Sequence, residues 1–241
     1  MRDQNSKNSS VKQLVIDSLR KLHLMSAINS LFNVKYRLIN AAYRLQGKSP
    51  LEAIYNDTFF DNENQANILK NTPQIVAEFI EQNIKPASVI DFGCGTGIYL
   101  KELEKRGIEI FGLDGSASAL KNSVIKPGLT KLADLTVDLD LDKRYSCAIC
   151  FEVAEHIPTK FSDTLVGNIV KTSDIVLFSA APKGQGGVGH INEQNPEFWQ
   201  QLFKKRGLLV DQALTDKCRA YFKDQGAIFW LTGSATIYRK G

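Results

Sequence analysis

The spacing of apolar side chains along this chain changes near residue 88. From residue 10 to 46 apolar residues recur at intervals of three and four, which predicts amphipathic helices with basic outer faces. A second helical segment is expected at about 64–83, where Pro73 marks a break or a fresh start. Beyond residue 88 short apolar runs alternate with helical patterns. The predicted strands are 88–92, 109–113, 145–151, 174–179, 208–210 and 228–237, and the predicted helices between them are 98–105, 117–124, 161–171 and 196–205.

This alternation of strands and helices predicts an α/β fold. Successive strands joined by helices need crossover connections, which produce a mostly parallel sheet with helices on both faces. In such a sheet a ligand lies beyond the carboxyl ends of the strands, where the strand order reverses. We therefore expect the binding site in the loops that follow the strands.

Composition and length agree with one large domain preceded by an arm. The 241 residues are 43% hydrophobic and 23% charged, which argues against a disordered chain, and no apolar run is long enough to cross a membrane. Residues 1–50 hold 9 Lys and Arg against 2 Asp and Glu, a balance of +7, whereas the rest hold 21 against 24, a balance of −3. We expect a basic helical arm over 1–50 and the main domain over 51–241.

The cysteines indicate a reducing compartment. Cys94, Cys147, Cys150 and Cys218 are too few for a disulfide framework in a chain of this length. Cys147 and Cys150 lie in an apolar run typical of a buried strand, so their side chains are expected on opposite faces. The polar N-terminus lacks the apolar stretch of a secretory signal. We expect a cytoplasmic protein with reduced thiols.

A glycine-rich turn after the first predicted strand is the most informative pattern. The strand ends in Asp91, then Gly93, Gly95 and Gly97 alternate with other residues, and a helix begins. Glycines allow a sharp turn and the close approach of a ligand to the backbone, and a helix N-terminus supplies free N–H donors. Asp114, at the end of the next strand, is placed to accept hydrogen bonds from the ribose hydroxyls of a nucleoside.

The spacing of the turn distinguishes between two cofactors. Dinucleotide sites use G-x-G-x-x-G and hold a pyrophosphate at the helix N-terminus. Here the spacing is G-x-G-x-G, and Asp91 stands two residues before the first glycine. A carboxylate there would repel a pyrophosphate but suits a sulfonium and an ammonium group, which points to S-adenosylmethionine.

With these residues the sequence resembles the class I S-adenosylmethionine-dependent methyltransferases over about residues 50–241. Their first motif, an acid followed by G-x-G-x-G, matches 91–97 without a gap. The resemblance implies a Rossmann-like doubly wound, seven-stranded sheet with an antiparallel last strand, and S-adenosylhomocysteine as the product. It also implies that Asp134 and Leu135 lie near the adenine. The full set of expected cofactor-binding residues is Asp91, Gly93, Cys94, Gly95, Gly97, Asp114, Gly115, Ser116, Asp134, Leu135 and Glu152.

Two of the three histidines lie in loops that follow predicted strands. His156 ends the run E-x-x-E-H that begins at Glu152, and His190 follows the next strand. A hydroxyl acceptor must lose its proton, which needs a base near neutrality or a metal. Small-RNA 2′-O-methyltransferases and ubiquinone-pathway O-methyltransferases are similar in using such a run to bind a divalent ion. Glu152, Glu155, His156 and His190 are thus candidate metal ligands; alternatively His156 or His190 acts as a metal-free base or orienter, or Glu155 and His156 are structural.

The methyl acceptor is expected to be a small molecule, methylated on oxygen in a natural-product or polysaccharide pathway. His156, His190 and Glu155 are the candidate catalytic residues. The loop 180–190 contains four glycines and is expected to close over the acceptor. The candidate acceptor-binding residues are Tyr55, Phe60, Gln185, Asn192 and Trp199, although Tyr55, Phe60 and Trp199 are also compatible with packing roles.

The remaining alternatives concern the arm and the class of activity. The arm could cap the acceptor site, form a homodimer contact or lie on a membrane surface. Nucleic-acid binding is not favoured, because the main domain is slightly acidic and contains no recognisable RNA-binding module. The competing functions are a metal-dependent RNA 2′-O-methyltransferase and a non-catalytic nucleotide-fold binding subunit.

Overall fold

A seven-stranded sheet organises the computed structural model, which describes residues 60, 61, 64, 68 and 70–241. The expected arm over 1–50 and Tyr55 lie outside the described residues. The strands are β1 (Ser88–Phe92), β2 (Glu109–Asp114), β3 (Thr130–Leu132), β4 (Cys147–Phe151), β5 (Ile175–Ser179), β6 (Leu208–Val210) and β7 (Thr236–Lys240). The helices are α1 (Thr72–Phe79), α2 (Ile98–Glu104), α3 (Ala117–Lys121), α4 (Ser162–Thr172), α5 (Pro196–Lys205), α6 (Gln212–Asp224) and α7 (Phe229–Ser234).

The strand order β3-β2-β1-β4-β5-β7-β6 confirms the predicted fold. Strands β1 to β5 are parallel, and β7 runs antiparallel between β5 and β6. The chain leaves β1 towards one edge of the sheet and later returns to place β4 on its other side. The carboxyl ends of β1 and β4 therefore flank the point where the strand order reverses, which is where such folds bind ligands.

Two apolar cores lie on the two faces of this sheet. Every residue of β1 is buried, and the alternation of side chains sends Val89 into one core and Ile90 into the other. The same alternation separates Cys147 from Cys150, as predicted. All four thiols are buried and free. Within the described residues, no helix combines the length and the apolarity needed to cross a membrane.

The last third of the chain differs most from the sequence prediction. The apolar stretch 228–237 was predicted to be a strand, but its first part forms the helix α7, and β7 begins at Thr236. The backbone N–H of Ile228 donates a hydrogen bond to the Thr72 hydroxyl at 3.1 Å, which fixes the start of α7 against α1. Two elements were missed: β3, whose Thr-Lys-Leu sequence is largely exposed, and α6, whose buried positions include the polar Thr215.

Candidate active site

The glycine turn after β1 has the backbone conformation that its sequence predicts. Gly93, Gly95 and Gly97 have φ values of +80°, +55° and +84°, which lie in the left-handed region that side chains disfavour. At Gly93 the space is also filled, because an added Cβ would lie 2.3 Å from a γ-carbon of Val153. Val153 belongs to the E-x-x-E-H run after β4. The turn and this run are therefore in direct contact.

Asp114 holds the glycine turn from the end of β2. Its carboxylate accepts hydrogen bonds from the backbone N–H groups of Gly95 at 2.7 Å and Ser116 at 2.8 Å. Burial raises the pKa of Asp114, and the hydrogen bonds from Ser116, Gly95 and Gly115 oppose that rise. Each carboxylate oxygen has more than one acceptor position, so Asp114 retains capacity for the hydroxyl groups of a ligand.

Asp91 is a buried acid beside this turn. Its side chain is 2% exposed, and burial together with the charge of Asp114 raises its pKa well above the usual value. No ion pair joins Asp91 to a cationic side chain within the part of the chain that the structure describes. Two neighbouring buried carboxyls are costly to ionise unless a positive charge approaches. The two carboxyl groups of Asp91 and Asp114 therefore fit a cationic ligand such as the sulfonium of S-adenosylmethionine.

Residues before α1 cover the turn from the N-terminal side. Phe60 is 8% exposed, and an added Cβ at Gly95 would lie 3.5 Å from its ring. The Asn64 side chain exchanges hydrogen bonds with the Thr96 hydroxyl at 2.9 and 3.1 Å. Phe60 is thus positioned at the expected cofactor site. Asn64 is a contact that the sequence did not indicate.

The predicted adenine residues follow β3. Asp134 is exposed, and one oxygen of its carboxylate accepts hydrogen bonds from the backbone N–H and the hydroxyl of Thr136. Leu135 is buried in one of the two cores. The backbone N–H of Ala133 donates to the carbonyl of Asp114 at 2.9 Å, which keeps this segment next to the end of β2.

Glu152 and Glu155 are adjacent in the fold but differ in environment. Glu152 has a φ of +52°, an uncommon backbone conformation for a residue with a side chain. Its carboxylate accepts hydrogen bonds from Gln185 at 3.2 Å and from Ser234 at 3.4 Å. Glu155 is fully buried, and one of its oxygens accepts the backbone N–H of Ala181 at 3.2 Å. Burial, reinforced by the charge of Glu152, raises the pKa of Glu155 well above its usual value.

His156 and His190 come together although 34 positions separate them in the sequence. Their rings pack edge to face with centroids 4.9 Å apart. Burial, and secondly the neighbouring His190, lower the pKa of His156 to about 3, against a smaller opposing effect of a hydrogen bond with the backbone of Gly189. Nδ1 of His190 is 2.9 Å from Oε1 of Glu193. Although burial opposes it, this bond and two backbone N–H groups lower the pKa of Glu193.

Three of the four candidate metal ligands could meet at one point. One ligand atom from each of Glu155, His156 and His190 lies within 4.8 Å of the other two. The second oxygen of Glu155, Oε2, is buried and has no hydrogen-bond partner among the described residues. Carboxylate and imidazole donors suit Mn²⁺ and Zn²⁺, so this trio fits a divalent ion. Glu152 does not join the trio and instead bonds to Gln185 and Ser234.

Two expected acceptor-binding residues lie in the protein interior. Asn192 is 2% exposed, and its amide is used by hydrogen bonds with Thr159, Ser162 and the carbonyl of Ala154. Trp199 is 2% exposed, and its ring packs against Phe178 in the core. Both side chains thus have packing or hydrogen-bonding partners within the protein, and their predicted contact with an acceptor stays a prediction. Gln185 does lie at the site through Glu152.

Sequence reasoning missed one side chain that touches the histidine pair. Glu193 follows His190 by three residues in a loop, and the only signal in the sequence was the pairing of an acid with a histidine at short spacing. Its carboxylate was not distinguishable from an exposed loop acid. The structure shows a partly buried side chain with three partners.

Comparison with known proteins agrees with this geometry. The sequence model of a family described as "Methyltransferase domain" matches residues 62–169. Proteins named ubiquinone biosynthesis O-methyltransferase are similar: one from Neisseria meningitidis serogroup C is 23% identical over 147 residues, covering 56% of this chain and 62% of that protein. Another, from Shewanella halifaxensis, is 29% identical over 133 residues, covering 51% and 56%. The chain thus spans little more than half the length of these curated relatives.

A solved structure shares the fold over nearly its whole length. The magnesium protoporphyrin IX methyltransferase of Synechocystis PCC 6803, solved with bound S-adenosylhomocysteine, superposes with a TM-score of 0.56 at 16% sequence identity. The match covers 79% of this chain and 98% of that one. At this identity the likeness concerns the fold, and the residues at the sheet edge must be judged on their own chemistry.

Proposed function

We propose that this chain is a class I S-adenosylmethionine-dependent methyltransferase that transfers a methyl group from S-adenosylmethionine to a hydroxyl oxygen of a small molecule, in keeping with the methyltransferase-domain model that matches residues 62–169. The observation that carries this proposal is the contact of Gly93 with Val153, which joins the glycine turn to the run that ends in His156. The glycine turn would bind the methyl donor, and the histidines at the same edge of the sheet would include the base that takes the proton of the acceptor hydroxyl. The relatives named as O-methyltransferases support oxygen as the acceptor atom.

S-Adenosylmethionine, when bound, supplies a methyl group activated by its sulfonium. Asp114 would accept hydrogen bonds from the ribose hydroxyls, and Asp91 would face the cationic end. Gly93, Gly95 and Gly97 leave the backbone bare where the ligand must approach. Cys94, Gly115, Ser116, Asp134, Leu135 and Glu152 complete the proposed cofactor-binding set, with Phe60 as a cover.

His190 is the proposed base. It accepts, at Nε2, the proton that the acceptor hydroxyl loses when its oxygen is methylated. His156 is unsuited to this step because its pKa of about 3 makes it a weak base, and we assign to it the role of packing against and orienting His190. Gln185, whose side-chain amide donates a hydrogen bond to Glu152, is the proposed contact to a polar acceptor.

Calorimetry and turnover together test this assignment. The purified full chain is titrated with S-adenosylhomocysteine and with NADH, and S-adenosylhomocysteine release is then measured over a panel of phenols, catechols and sugars. We expect binding of S-adenosylhomocysteine, and a large loss of turnover in His190→Gln with unchanged cofactor affinity. Binding of NADH in its place would refute the cofactor assignment, and equal turnover of His190→Gln and wild type would refute the base.

A divalent metal is a second candidate feature of the same site, favoured by the unpartnered Oε2 of Glu155. Glu155, His156 and His190 would hold the ion, which would lower the pKa of an acceptor hydroxyl. Two measurements separate the metal-assisted mechanism from the metal-free base. They are the metal content after purification and the titration of wild type and Glu155→Gln with Mn²⁺, Mg²⁺ and Zn²⁺. Full turnover in the presence of a chelator would exclude the metal.

We further propose, from sequence alone, that residues 1–50 act as a cap that selects the acceptor, within a cytoplasmic protein of natural-product metabolism. The +7 balance of this segment supports a role distinct from that of the acidic remainder. Deletion of residues 1–46 should leave cofactor affinity intact and raise the KM for the acceptor. Loss of vesicle binding or of a dimer in the deletion variant would instead assign the arm to a membrane surface or to self-association.

A further inference from the structure

Glu193 binds both the backbone of the glycine loop and the ring of His190. Its Oε1 accepts the backbone N–H of Gly186 at 2.6 Å and lies 2.9 Å from Nδ1 of His190. Its Oε2 accepts the backbone N–H of Gly184 at 2.8 Å. The side chain is 19% exposed; the bonds to Gly186 and His190 are partly buried, and the bond to Gly184 is exposed. One carboxylate thus joins two points of the loop backbone to the histidine ring.

The loop that Glu193 binds is rich in glycine. Gly184, Gly186 and Gly189 all have positive φ values, +87°, +72° and +77°, and glycines have no side chains with which to pack. Ordering such backbone costs about 1–2 kcal/mol of conformational entropy per residue. Charge-assisted hydrogen bonds to backbone N–H groups are a strong means of offsetting that cost.

Glycine backbone also packs against the face of the His190 ring near Nε2. An added Cβ at Gly187 would lie 2.2 Å from Nε2 of His190, so only glycine leaves room for the imidazole there. The edge of one imidazole ring also meets the face of the other in the His156–His190 pair. Glu193, Gly187 and His156 therefore fix the position of the His190 ring from three sides.

We propose that Glu193 is a positioning residue: it closes the loop over 184–190 and holds His190 in the tautomer that carries its proton on Nδ1. This inference rests on the proposed function, in which His190 is the base. With the proton on Nδ1 facing the carboxylate, Nε2 is the ring nitrogen that keeps a lone pair.

Simpler structural roles do not account for these contacts. Glu193 is not the cap of α5, because the N-cap position is Asn195 and no side-chain cap bond is made. Within the described ranges, its only ion-pair partner is His190, and no Lys or Arg side chain pairs with it. The carboxylate is directed entirely to the glycine loop and the imidazole.

The first test measures the tautomer of His190 and the amide exchange of the loop, and it needs no methyl acceptor. The full chain is labelled with ¹⁵N, and the His190 ring signals are assigned by comparison with His190→Gln. We expect the Nδ1–H form in wild type and a shift towards Nε2–H in Glu193→Gln, together with faster amide exchange at Gly184 and Gly186. An Nε2–H form in wild type, or unchanged exchange in Glu193→Gln, would overturn the proposal even if the protein is a methyltransferase.

The second test measures turnover on an acceptor found in the panel. Glu193→Gln should lower kcat by about 10- to 100-fold, the loss that removing a hydrogen-bond partner of a metal-ligating histidine typically causes, with little change in cofactor affinity. Glu193→Asp should recover part of the loss, and Gly187→Ala should lower kcat although Glu193 is intact. Glu197→Gln, an exposed acid in the first turn of α5, is the matched control and should behave as wild type.

The outcomes separate this inference from the proposed function. Wild-type kcat in Glu193→Gln, with turnover lost in His190→Gln, would overturn the positioning role and leave the base assignment in place. Wild-type kcat in His190→Gln would remove the base, and with it the role of Glu193 in catalysis.

Discussion

Replacing Gly93 by alanine tests the central contact of the site. The substitution adds one methyl group at the point where the glycine turn meets the run after β4. Two separate penalties are expected: the backbone must hold a φ of +80° with a side chain present, and the new Cβ would lie 2.3 Å from Val153. Real Cβ atoms do not approach a carbon so closely, so the turn or the valine must move.

Gly107 offers a matched control that isolates the first penalty. Its φ is +76°, and no atom of the described residues lies within 4 Å of an added Cβ. Gly107→Ala should therefore cost only the left-handed backbone term, about 1 kcal/mol in the free energy of unfolding. Gly93→Ala should cost that amount and about 1–3 kcal/mol more for overpacking, a total of about 2–4 kcal/mol.

Urea unfolding of the full chain measures both values, and a double-mutant cycle assigns the difference. Adding Val153→Ala should recover most of the overpacking term in the Gly93→Ala protein and none of the loss in Gly107→Ala. S-Adenosylhomocysteine affinity should fall in Gly93→Ala and stay unchanged in Gly107→Ala. Equal destabilisation by the two alanine variants would refute the contact, and with it the observation on which the proposed function rests.

Three further variants examine the acids and the interior tryptophan. Asp114→Asn should weaken S-adenosylhomocysteine binding about 10- to 100-fold, the value of one or two hydrogen bonds to a charged group, and an unchanged calorimetric affinity would remove Asp114 from the site. The folded-state pKa of Asp91 is raised, so its contribution to stability is complete below its ordinary pKa and is lost as pH rises through the raised value. Asp91→Asn should therefore lose less stability than wild type as the pH rises above about 4, the ordinary pKa of an aspartate, in chemical denaturation, and parallel curves would contradict the burial argument. Trp199→Ala should lower the free energy of unfolding by about 3–5 kcal/mol, whereas a raised acceptor KM at normal stability would return Trp199 to the acceptor site.

Local patterns predicted the part of the site that depends on neighbouring residues in sequence. The glycines at 93, 95 and 97 adopt the positive φ values that their spacing implies, because that conformation is a property of the turn itself. Asp114 was predicted from its distance along the chain, and it does meet Gly95, because β1 and β2 are adjacent parallel strands. Adjacent parallel strands place their carboxyl ends at the same edge of a sheet, so identifying the two strands in the sequence was sufficient to predict this contact.

Side chains near the site were harder to assign because burial is not a local property. Asn192 and Trp199 stand in a polar stretch after β5, which favoured contact with a ligand, yet packing turned both inward. The stretch 228–237 has the composition of a strand, but a hydrogen bond from Ile228 to Thr72, 156 residues away, begins a helix there. No window of the sequence contains that partner.

The sequence by itself determined the sheet, its parallel core and the glycine turn with its two acids, because strand alternation, glycine spacing and strand-end acids act over a few residues each. Only the tertiary structure decided which acids lie beside the two histidines. Glu155 and Glu152 are three residues apart, but one is buried beside the imidazoles and the other bonds to α7. Glu193 joins His190 to its loop because the backbone N–H groups of two glycines converge on the same carboxylate, and that convergence exists only once the loop is folded against β4 and β5.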